Sequence, residues 1–108
     1  NYEGVEMLLR NYENKYGHLN TDLFLGFKKG KDINNIFNLI IGKTNYNLHL
    51  IEDDTFFDQE ITKEIGYLLD KHGKNYKISS LEQFNRNKNP SILLGSLYLI
   101  GEYKKRNI

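Results

Sequence analysis

Three histidines, His18, His49 and His72, are the side chains of this sequence best suited to moving a proton or holding a metal near neutral pH. No two of them share metal-ligand spacing on one element, and with no cysteine there is no thiolate to complete a zinc or cluster site. Each has a simpler reading: His18 follows a helix-ending Gly17, His49 lies on the polar side of a strand, and His72 sits in a last helical turn where it favours the helix dipole. Glu52-Asp53-Asp54 carries enough oxygen to suggest a hard cation, but the alternating ligands, glycine and terminal Glu of a calcium loop are missing, and a solvated turn accounts for the acids. Gly42-Lys43-Thr44 resembles the end of a phosphate loop, yet Phe37 stands where the earlier glycine belongs and the tripeptide follows a helix instead of opening one. Ser79, Ser80, Ser91 and Ser96 lie in no Gly-x-Ser-x-Gly elbow. Catalysis needs cooperating groups placed together; none is visible, so the expectation is a protein that is not an enzyme, with no metal and no cofactor.

Recognition chemistry is better represented. Lys71-His72-Gly73-Lys74-Asn75-Tyr76-Lys77 and Arg86-Asn87-Lys88 are basic runs interleaved with an aromatic and with amides. Lys71, Lys74, Lys77, Arg86 and Lys88 suit phosphate contacts, Tyr76 suits stacking on an unpaired base, and Asn75 suits a phosphate or base edge. The formal net charge of +1 argues against a generic nucleic-acid binder, which carries a strongly basic face. The leading expectation is therefore a non-catalytic binding module whose partner is another protein, of the inhibitor, immunity or accessory-domain kind. The second is a nucleic-acid-binding helical domain using residues 71–77 and 86–88.

At 108 residues the chain has the length of one domain that buries a core without staples. Residues 1–108 read as a single globular domain, and the start at Asn1 fits an excised piece of a longer protein. The apolar fraction of 39% and charged fraction of 27% are globular values, which excludes wholesale disorder. Alanine is absent while Asn, Lys, Ile and Tyr abound, the signature of an AT-rich genome. Cysteine usage fits an intracellular setting, and no membrane segment or lipidation motif is present.

The elements that must carry these groups follow from periodicity. Val5, Leu8, Leu9, Tyr12 and Tyr16 fall at helical spacing before Gly17. Ile33, Ile36, Phe37, Ile40 and Ile41 repeat the pattern after Asp32 and before Gly42. Ile61, Ile65, Leu68 and Leu69 line a third helix, capped by Thr55 or Asp58 and ended by Gly73. Ser79-Ser80-Leu81-Glu82 supplies a capping pattern for a short helix to about Phe84. Residues 44–51 alternate polar and apolar as a strand does, and residues 22–27, favoured here as a short helix, are the obvious partner should they be extended. The last segment opens with Asn89-Pro90, an N-cap followed by a first-turn proline, and runs apolar on nearly every side to Tyr103; this predicts a buried C-terminal helix.

The fold expected is mainly α: a compact bundle of five or six helices around that C-terminal helix, with one or two short extended segments. The alternative is an α+β fold with a small two-stranded sheet. The core expected comprises Val5, Leu8, Leu9, Tyr12, Ile36, Phe37, Ile40, Leu48, Leu50, Ile61, Ile65, Leu68, Leu81, Phe84, Leu93, Leu94, Leu97 and Ile100.

Overall fold

The computed structural model describes residues 2–17, 20–27, 33–43, 46–53, 57–95 and 102–104. Its elements run α1 (Tyr2–Tyr16), β1 (Thr21–Gly26), α2 (Ile33–Ile41), β2 (Tyr46–Ile51), α3 (Gln59–Lys71), β3 (Tyr76–Ser79), α4 (Leu81–Arg86), β4 (Ser91–Gly95) and β5 (Glu102–Lys104). The strands form one sheet in the order β3-β2-β1-β4-β5. The first four are mutually parallel and β5 runs antiparallel along β4. This is an α/β fold, so the helical bundle and the small two-stranded sheet are both overturned.

The error has a physical source. β1 and β4 lie inside a parallel sheet covered on both faces, so every residue from Thr21 to Phe27 and from Pro90 to Leu94 is buried. A strand buried on both sides loses its period-two alternation and reads as a continuous apolar run, which short segments share with buried helices. Residues 91–95 of the expected C-terminal helix are thus the strand β4. Pro90 suits the strand's entry as well as it would a helix, since its carbonyl accepts from the Asp22 N–H at 2.9 Å. Leu97 and Ile100 lie outside the described residues. β1 is likewise a strand and not a helix, paired with β2 from Thr21↔Tyr46 to Leu25↔Leu50.

Strand parity assigns each side chain to a face. Leu23, Leu25, Leu48, Leu50, Ile92 and Leu94 join Val5, Leu8, Leu9 and Tyr12 of α1, Phe37 and Ile40 of α2, and Ile65 and Leu69 of α3 in the main core. Phe24, Ile51 and Leu93 turn the other way and pack with Phe57 and Phe84. Connections from β1 to β2 and from β2 to β3 step in one direction across the sheet, while the one from β3 to β4 steps back past β1. Crossovers of a single hand therefore place α2 and α3 on one face and α4 on the other, as the two cores record. Ile61, Leu68 and Leu81 of the expected core are only partly buried.

Asp58, not Thr55, is the described N-cap of α3; its carboxylate accepts from Glu60 N at 2.9 Å. The capping box of α4 is set one residue later than the spacing suggested. Ser80 Oγ accepts from Gln83 N, and the Gln83 side chain accepts from Ser80 N. No helix of the described residues is long and apolar enough to cross a membrane.

Candidate functional site

The amino ends of β1, β2 and β3 meet the loops before β3 and β4 around a groove of about 720 Å³, lined by Lys43, Asn47, Lys74, Asn75, Lys77 and Asn89 among others. At its floor is Asp22, a buried carboxylate at the start of β1. Its Oδ1 accepts from Asn47 Nδ2 at 3.0 Å and its Oδ2 from Asn87 Nδ2 at 2.9 Å and Asn89 Nδ2 at 3.3 Å. Burial pushes this carboxyl's pKa up, but the Asn87, Asn47 and Asn89 hydrogen bonds and the neighbouring His49 outweigh it and hold the group below its ordinary value.

His49 Nε2 lies 3.5 Å from Asp22 Oδ1, and His49 Nδ1 lies 2.8 Å from Ser79 Oγ. Phe24 stacks on the imidazole with centroids 4.2 Å apart, and Phe84 of α4 meets Phe24 edge-on at 5.3 Å. An Asp-His-Ser line invites comparison with a hydrolytic triad. Here, however, the carboxylate is occupied by three amides, and Ser79 is buried at the far end of β3 and lines no part of the groove. The line ties β1, β2 and β3 together on one face of the sheet.

The groove gathers four of the seven residues picked out by sequence: Lys74, Asn75, Tyr76 and Lys77. Lys71 and Lys88 are exposed and line no part of it. Arg86 is exposed on α4 and pairs with Glu82 Oε1 at 2.6 Å. Tyr76 packs against the main core, its hydroxyl 3.4 Å from Asp70 Oδ2 and close above Gly66. His72 Nδ1 lies 2.9 Å from the Leu68 carbonyl, whereas His18 lies outside the described residues. Asp22, Asn87 and Asn89 escaped the sequence reading as one cluster; the sole signal was the polar side of residues 44–51, which placed Asn47 and His49 together.

The opposite edge is built differently. β1 and β4 end on Gly26 and Gly95, which are partners in register. The Phe57 ring fills the space beside Gly26, where an added Cβ would sit 2.9 Å from it. At this end Asp58 N donates to Phe27 O at 3.0 Å and Glu52 N donates to Ser79 O at 2.8 Å. Among the described residues no group of three or more His, Cys, Asp or Glu stands close enough to hold a metal ion.

No protein-family profile, curated protein or solved structure matches this chain.

Proposed function

We propose that this chain is a non-catalytic binding domain whose ligand, a small phosphate- or carboxylate-bearing molecule, sits outside the carboxyl ends of β1 and β4. The observation that carries this reading is the reversal of strand order between those two strands. In open parallel sheets ligands settle in the crevice beyond the carboxyl ends where the order reverses. This is an inference from architecture, and three features of the chain support it. β1 and β4 end on the register partners Gly26 and Gly95, so neither strand end projects a side chain toward a ligand there, the space beside Gly26 being taken by the Phe57 ring. In sequence, Phe27 follows β1 and then Lys28-Lys29-Gly30-Lys31, so cations come within a few residues of the end of the strand. In the Asp22-His49-Ser79 line, the nearest thing to a catalytic array among the described residues, Ser79 is buried and stands outside the groove. The intracellular setting expected from cysteine usage belongs to the same reading.

The test is a titration of isotope-labelled protein with inorganic pyrophosphate, read as amide shift changes. Shifts concentrated at Gly26, Phe27, Ile51, Glu52 and Gly95, and lost in a Lys28→Met/Lys29→Met/Lys31→Met variant, are expected. Silence at this edge up to millimolar ligand, whatever happens elsewhere, overturns the reading.

A further inference from the structure

We infer that the groove at the amino edge is a second, independent site for a compact molecule bearing at least two anionic groups. The ligand's anions would be held by Lys74 and Lys77 above a floor made rigid by Asp22. Three observations converge on it. Asp22 draws the amide nitrogens of Asn47, Asn87 and Asn89 onto itself, which fixes β2 and the α4–β4 loop against β1. That network leaves the groove's shape preorganised, so a ligand bears little ordering cost.

The lining is cationic on balance, with Lys43, Lys74 and Lys77 against Asp22. Lys43 is already engaged by Glu13 at 2.9 Å. Lys74 and Lys77, by contrast, make no ion pair among the described residues. Lys77 is the register partner of His49, hence on the same face of the sheet.

The dimensions and chemistry favour a small molecule over a nucleic-acid strand. A volume near 720 Å³ falls in the range of small-ligand pockets. Tyr76, the aromatic best placed in sequence to stack on a base, lines the groove with its ring packed against the main core and its hydroxyl tied to Asp70, so it is less free to stack on a base than an open aromatic would be.

The experiment is calorimetric titration with pyrophosphate and, separately, citrate, on the wild type, on a Lys74→Met/Lys77→Met variant and on Lys63→Met. Lys63 is an exposed α3 lysine outside the groove. Removing two charge-assisted contacts should weaken binding at least about tenfold in the double variant, with Lys63→Met unchanged. Binding of pyrophosphate alone identifies phosphate as the anion, and binding of both identifies any compact polyanion. Amide shifts must fall at residues 74–77 and 87–89; shifts confined to Gly26 and Gly95 would belong to the other edge. No binding by the wild type at millimolar ligand, unaltered affinity in the double variant, or tighter binding of an oligothymidylate than of pyrophosphate overturns the inference.

Discussion

Asp22 and His49 face each other across adjacent strands, Oδ1 to Nε2 at 3.5 Å, with Asn47, Asn87 and Asn89 completing the carboxylate's shell. The partners come from β2 and from the loop before β4, so one side chain fastens three separate pieces of backbone. An amide in its place offers one acceptor oxygen and turns an NH2 toward donors. Asp22→Asn should therefore cost about 1–3 kcal/mol in urea unfolding at neutral pH.

The same residue makes a pH prediction. Its folded pKa is depressed, so its contribution is fully present above the unfolded value, about 3.9, and is lost as pH falls through the folded one. The stability gap between wild type and Asp22→Asn should stay constant from neutral pH down to about pH 5 and close below about pH 4. A gap that persists unchanged at lower pH would show that the carboxylate's charge is not what the amides recognise.

Ser80 caps a helix of only six residues, and that helix carries Phe84 onto Phe24. Few hydrogen bonds hold so short a helix, so its reciprocal capping box is a large share of its local stability. Ser80→Ala should cost about 1 kcal/mol and Ser80→Asp much less. Denaturant midpoints at constant m-value check both.

Gly73 is the residue where backbone conformation alone dictates the side chain. Its φ of +69° lies in the left-handed region, and nothing stands within 4 Å of an added Cβ. Gly73→Ala should cost about 1–2 kcal/mol from the backbone alone. Gly73→Asn should cost less, since Asn enters that region more readily. Equal losses for the two variants would place the cost in contacts instead.

The elements that face water on one side were legible in the sequence, and those that do not were not. α1 and α3 present polar residues on their outer faces, so their apolar spacing survives, and Gly17 and Gly73 mark their ends. β2 alternates because Asn47 and His49 look into the partly open amino edge. β1 and β4 are covered on both faces, so Leu23-Phe24-Leu25 and Ile92-Leu93-Leu94 carry no alternation to read. β3 is four residues long and its first two residues close a basic run that looks like a loop. Lys74 and Lys77 were visible as charge clusters, whereas Asp22 lies 25, 65 and 67 positions from the asparagines that surround it. No local pattern joins residues so far apart; only the register of the sheet does.

The sharpest packing prediction lies at the carboxyl edge. Gly26 ends β1 with the Phe57 ring where its Cβ would be, three ring atoms falling within 3.0 Å of that point. Phe57 is itself buried in the second core with Phe24, Ile51, Phe84 and Leu93, so the ring has little room to retreat. Gly26→Ala should thus cost about 1–3 kcal/mol as overpacking. A smaller, branched side chain at 57 would give up the contested space, so in a Phe57→Leu background the same change should cost at least about 1 kcal/mol less. A double-mutant cycle in urea measures that coupling directly. Additivity of the two changes would mean that Gly26 is required by something other than the ring, and the backbone approach of a ligand at the β1–β4 end would then be the remaining reason for a glycine there.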